Sequence, residues 1–319
     1  MDIRPEWPRK EQYEFWPWAG GVKRFAAALG MPAPRNLWEA AAHGYGAYAL
    51  YMRDQLPEAA KAINIALRAS AGSGWLAQLL YLINGELEAR DYARRVERSQ
   101  FIFEVPRSSP QGDNLVELVE EYARRVEKLL DVPRQPTMFT LLPPDSLAEF
   151  STSPHGYMVP KIPYFKVCLP HGEDEPPPEL ARGVVHEYLH VAESELSQGK
   201  APRWLTEGLA EWADGELVDD EQVDEWCLLP GETPRFEEIE GIFHSGLSVE
   251  DADMEYAYAA ALSAVTYLIA KHGIYDVREF IARLKDEPEG RAFREAFGET
   301  KRDFERDWQE RLRREPGTS

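Results

Sequence analysis

The sequence predicts an α+β fold: a small mixed β-sheet, a helical C-terminal half, and an α-helical region ahead of both. Three observations predict it. Apolar residues recur at helical spacing from about residue 37 to residue 98. Near residue 99 the period drops to two, and Phe101, Phe103 and Val105 alternate as a strand does. From residue 177 onward the helical period returns, punctuated by Gly199, Gly215 and Gly273.

Residues 1–40 are rich in proline and carry Trp7, Phe15, Trp16, Trp18, Phe25 and Trp38. Large apolar side chains of this kind pin an extension onto a core. LWEAAAHGYGAYALYMRD, LPEAAKAINIALRAS and WLAQLLYLINGELEARDYARRVE read as helices, with ASAGSG (69–74) as the break. Their cadence loosely resembles a tetratricopeptide hairpin, but the three units or so that a solenoid needs are not found, and a plain helical cap accounts for them. After the strand at 101–105, DNLVELVEEYARRVEKLL places Leu115, Leu118, Val119, Tyr122, Val126 and Leu129 on one face, with Asp113 or Asn114 as cap. PTMFTLLP is a second strand. GYMVPKIPYFKVCL is a third, and Pro160 and Pro163 assign it to a sheet edge because proline donates nothing to a ladder. PPPELARGVVHEYLHVAESELSQG and APRWLTEGLAEWADG are helices. An acidic, irregular stretch follows to about residue 250, and DMEYAYAAALSAVTYLIAKHG is a long buried helix. Two or three helices close the chain, the last with Phe304, Trp308 and Leu312 in register and Thr300 as cap.

Composition limits what the chain does. Of its 319 residues, 44% are hydrophobic and 29% charged, which supports a buried core. The net charge of −20 repels nucleic acid and anionic membrane alike. The most apolar run, about residues 259–270, falls short of the roughly 20 residues a membrane span needs. The N-terminus shows no apolar signal region. Cys168 and Cys227 lack CxxC spacing and read as free, packed thiols. Together these describe a soluble, acidic, cytoplasmic protein. The acidity is concentrated: residues 211–255 hold sixteen acids and one base, Arg235, and a solvated lid accounts for that segment.

The chemistry lies in His186-Glu187-Tyr188-Leu189-His190. Histidines four apart on a helix stand ~40° from each other around the axis, so both imidazoles can hold one ion. Zinc suits such nitrogens, and a carboxylate beside the first ligand can take a proton from water that the metal has acidified. The pattern alone matches roughly a few per cent of chains this long by chance, so context decides. A catalytic zinc needs a third ligand and an open position. Glu207 follows seventeen residues after His190, in RWLTEGLAEW, and Gly208 allows that helix to pack closely against the histidine helix.

HEYLH followed by PRWLTEGLAEW resembles the gluzincin metallopeptidases, most closely the peptidase MA-like group. SQFIFEVP, the helix at 113–130 and PTMFTLL look like the opening strand–helix–strand of that zincin-like fold. YAAALSAVTYLIAKHG, REFIARLKD and FGETKRDFERDWQERL look like its helical half. The resemblance covers residues 99–316; residues 1–98 form a separate N-terminal region, and 317–319 a disordered tail. It implies a zinc peptidase in which His186, His190 and Glu207 hold zinc and Glu187 is general base. Tyr258 is the implied oxyanion partner, with Tyr256 as the alternative. Glu211, one turn after Glu207, can accept from a ligating imidazole. The edge strand at 157–169 would pair with an extended peptide or protein substrate. His244 falls in a loop as an exposed side chain, and His43, His155, His171 and His272 take no role. Two alternatives stand beside this expectation: a catalytically silent zincin-fold scaffold that binds a protein partner through the N-terminal helices, and a metal-dependent hydrolase of a non-peptide amide.

Overall fold

In the computed structural model, residues 35–69, 74–107, 112–142, 157–160, 164–170, 177–218, 233–245 and 251–314 are described. The aromatic residues of 1–34, Cys227, His155, His171, parts of the acidic segment (219–232 and 246–250) and the 317–319 tail lie outside them. So do the side chains of Trp38, His43 and Asp113.

The chain divides into two units, parting between Tyr92 and Ala93, with 161–163 assigned to the first. The first holds helices α1 (Arg35–Met52), α2 (Leu56–Ala69) and α3 (Gly74–Tyr92). Its interior buries Ala47, Tyr51, Leu56, Ile63 and Ile83. The buried Tyr51 hydroxyl donates to Glu86 at 2.8 Å, and Arg90 pairs with Asp54.

The second unit begins earlier than the period change at residue 99 suggests. ARRVER (Ala93–Arg98) is strand β1, not the end of a helix. Its only large apolar residue is Val96, and its charged side chains disguise it as more of the preceding helix. A turn with Ser99 at φ 54° returns the chain as β2 (Phe101–Pro106), antiparallel to β1. Helix α4 (Gly112–Leu130) and β3 (Thr137–Leu142), parallel to β2, follow. The expected third strand is two strands, β4 (Tyr157–Pro160) and β5 (Phe165–Pro170), antiparallel to each other, with the Pro160–Pro163 stretch between them. The five-stranded mixed sheet runs β1-β2-β3-β5-β4, so of the two strands β4 is at an edge, opposite β1, and β5 pairs on both sides.

Seven more helices complete the described residues: α5 (Pro177–Ser197), α6 (Arg203–Leu217), α7 (Phe236–Ser245), α8 (Asp251–His272), α9 (Ile274–Arg283), α10 (Glu289–Phe297) and α11 (Lys301–Arg314). Helix α7 lies inside the stretch expected to be irregular; its Phe236, Ile239 and Phe243 are buried at helical spacing amid acidic residues. The fold is mixed α/β and mostly helical. Phe101, Phe103, Phe139, Val167 and Leu169 on one sheet face join one apolar core with Val119 and Val126 of α4 and Val184 and Tyr188 of α5. No helix among the described residues is long and apolar enough to cross a membrane.

Helix ends follow their residues. Gly199 (φ 67°) follows α5, and Gly273 (φ 89°) separates α8 from α9. Thr300 caps α11: the Asp303 backbone N–H donates to its Oγ1 at 3.1 Å. Gly208 does not face the histidine helix as expected. A Cβ there would stand 2.3 Å from the Ala261 carbonyl oxygen of α8. The close crossing is therefore α6 on α8, whose buried Ala257, Ala260, Ala261 and Ala264 let the backbones approach.

Candidate metal centre

Helix α5 is buried through its middle, from Leu180 to Leu189, because its apolar positions meet the sheet and its neighbours, and this leaves His186 and His190 one turn apart on the remaining face. Their ring centroids are 5.0 Å apart and nearly perpendicular, at 81°. Helix α6 brings Glu207 to the same point. Its Oε2 lies 3.5 Å from the Nε2 of His186 and 3.5 Å from the Nε2 of His190. One donor atom from each of the three residues falls within 4.8 Å of the others.

This donor set meets the test for a metal. Ligand atoms about 2.0–2.1 Å from a tetrahedral ion stand about 3.3 Å from one another, close to both separations to Glu207. Two imidazoles and one carboxylate are nitrogen and oxygen donors that a borderline-soft dication accepts, and three protein ligands leave a fourth corner. His186, His190 and Glu207 are the residues that could hold such an ion.

Each ligand has a charged group behind it. Glu211 Oε1 is 3.4 Å from the Nδ1 of His186, as its place one turn after Glu207 suggested. Glu193 Oε2 is 3.7 Å from the Nδ1 of His190. Arg203 Nη2 is 3.1 Å from the other oxygen of Glu207, Oε1. Carboxylates on the far nitrogen fix an imidazole's tautomer and orientation. Sequence reasoning missed Glu193 and Arg203, yet both stand at helical spacing from a ligand, at i+3 and i−4, and were open to the argument that found Glu211.

The electrostatics match the geometry. Burial works against a charge on Glu207, but Arg203 and the two imidazoles overcome it and hold its carboxyl well below the ordinary range. Burial likewise opposes protonation of His190, and Glu207 and Glu193 reverse it, so the imidazole titrates well above its usual value. Glu187, buried next to His186, is raised by burial, partly offset by the two histidines. Further along α6, Asp214 is raised to about 7 by burial and by the charge of Glu211.

Tyr258 lies partly buried on α8, its ring edge-on to Phe243 at 5.2 Å. Burial raises its hydroxyl, and after burial the largest influences are Glu207 and Glu211, which places it in the field of the cluster. Tyr256, two residues earlier, is about 200° away around the same helix. His244 is exposed as expected, but it sits in the last turn of α7, its Nδ1 2.6 Å from the Glu240 carbonyl oxygen. His272 bonds Glu299 at 2.8 Å, and Cys168 is buried.

Helix α6 is itself held at its start. The Trp204 backbone N–H donates to Glu240 Oε1 of α7 at 2.7 Å, a carboxylate at a helix N-terminus. No family model matches the chain, and no curated protein matches it.

Proposed function

We propose that this protein is a zinc-dependent metallopeptidase of the gluzincin type. One observation carries the reading: a single carboxylate oxygen, Glu207 Oε2, stands 3.5 Å from the Nε2 atoms of two histidines one helical turn apart, with Glu187 beside them. His186, His190 and Glu207 hold the ion. When bound, zinc would supply Lewis acidity, polarising a carbonyl and lowering the pKa of water to roughly 7.

Glu187 is on the ligand helix, adjacent to His186, and acts as general base. It takes a proton from the attacking water as the new C–O bond forms, and returns it to the amide nitrogen as the C–N bond breaks. No covalent enzyme intermediate is needed. Tyr258 donates a hydrogen bond to the oxygen on which charge develops. An extended substrate adds to the sheet at β4, a terminal strand in the sheet order, through backbone hydrogen bonds. Glu211 and Glu193 orient the imidazoles from behind.

The test is a metal analysis coupled to a peptide-library cleavage assay with a chelator control. The parent protein holds one zinc per chain and cleaves peptides until chelated. Glu187→Gln keeps the zinc and cleaves nothing, and undiminished turnover by that variant would remove Glu187 from its role. Turnover of small amides but not peptides would shift the reading to a non-peptide amidase. Zinc binding without any turnover would leave a binding protein.

A further inference from the structure

Glu207 is the one ligand whose two donor atoms could both bind the same ion, and this raises a question of denticity. With two imidazoles already bound, a carboxylate that gave both oxygens would fill the fourth corner of a tetrahedral ion and leave no position for water or substrate. The two oxygens of Glu207 have different partners. Oε2 faces both histidine Nε2 atoms at 3.5 Å, and Oε1 faces Arg203 Nη2 at 3.1 Å.

Arg203 is poorly explained as a helix stabiliser. It is the first residue of α6, where the helix dipole disfavours a cation, and no acidic residue lies in that first turn. A basic residue four before an acidic one is also the weaker orientation of an i,i+4 pair, in which such pairs contribute only about 0.2–0.5 kcal/mol. The burial is lopsided: the Arg203 side chain is 53% exposed and that of Glu207 4%. The guanidinium thus reaches from the rim onto a buried carboxylate. Glu193, Glu240 and Tyr258 also face it electrostatically, so it is embedded in the site's field.

We propose that Arg203 is a positioning residue that confines Glu207 to single-oxygen ligation and so keeps one corner of the metal open. This rests on the metal centre proposed above. It assigns Arg203 no contact with substrate.

The experiment loads the full-length parent, Arg203→Gln and Arg203→Lys with zinc, adds excess 2-mercaptoethanol as a one-atom probe of the open corner, and counts sulfur neighbours by X-ray absorption. The half-exposed position leaves the fold of both variants intact, which circular dichroism checks. The expected result is one sulfur neighbour, at about 2.3 Å, in the parent and none in Arg203→Gln, whose fourth corner the second oxygen of Glu207 has filled. Arg203→Lys, which keeps a cation within reach of Oε1, retains the parental shell. A helix-stabilising role would leave the shell the same in all three. An unchanged shell in Arg203→Gln overturns the proposal while leaving the metal centre intact. A parent protein that binds no zinc overturns both.

Discussion

Helix α6 borders two interiors of opposite chemistry. Its Trp204 belongs to an aromatic interior: the ring lies 4.1 Å from Phe236, which stacks on Trp308 at 5.5 Å and Phe304 at 6.2 Å, and Phe293 extends the cluster through Phe304 to Phe280. Its Glu207, Glu211 and Asp214 belong to a charged one, where Glu187, Glu193, His186 and His190 converge from α5. The first sustains itself, because every ring removed from water favours folding. The second does not. Carboxylates withdrawn from water cost free energy unless a cation meets them, and Arg182 and Arg203 are the basic groups whose charges bear on it. A chain keeps such an arrangement where function needs it, and a divalent ion would supply the missing positive charge.

The contrast can be broken from the aromatic side with the largest effect. Phe293→Ala empties a fully buried site and should lower unfolding free energy by about 3–5 kcal/mol in urea, with zinc affinity of the folded protein unchanged. A loss below ~1 kcal/mol would mean that the cluster is not a rigid interior.

Asp214→Asn probes the charged side in the chelated protein. The folded-state value is raised to about 7 from 3.8 by burial first and then by Glu211 and Glu179, with His186 and Arg182 opposing them. The folded chain therefore holds the proton more tightly, and the stability it contributes is present at low pH and lost as pH rises from about 4 through about 7. The variant lacks this slope, so its advantage over the parent should grow from pH 4 to pH 8, by at most a few kcal/mol. A pH-independent difference would show that Asp214 stays ionised in the fold.

The smallest expected change is at the boundary between the two interiors. Gly208→Ala places a methyl against the Ala261 carbonyl and 2.8 Å from Val265 Cγ2, so α6 must move off α8. Overpacking of this kind costs ~1–3 kcal/mol. Because Glu207 is the preceding residue, zinc affinity measured by chelator competition should fall too. Stability lost with affinity unchanged would uncouple the crossing from the ligand.

The candidate site was more legible than the sheet around it. His186, His190, Glu207 and Glu211 all obey helical spacing, and helices carry their geometry in local sequence. The strand ARRVER was hidden because an edge strand with charged side chains has no periodic apolar signal of its own, and its pairing with β2 is not written locally. The β4–β5 pair was read as one strand for a related reason: Pro160 and Pro163 mark an interruption, but not whether the chain bends back. Gly208 showed that a close approach was needed, without showing which helix would make it. Glu193 and Arg203 were readable and went unread, since a charge beside a ligand helix looks like a solvated one until its burial is known.

Tyr188, between the two histidines, faces away from them. Its ring sits edge-on to Phe101 at 5.6 Å and lies beside Phe139 at 5.8 Å. Its hydroxyl donates to Glu127 on α4 at 3.0 Å and accepts from the Gln135 backbone N–H at 3.3 Å, and Arg134 grips the same Glu127. The tyrosine is a pin driven through the axle of α5 into the sheet behind it. Roll of that helix would carry both imidazoles away from Glu207 at once, so their angle is locked from the rear by residues outside the cluster.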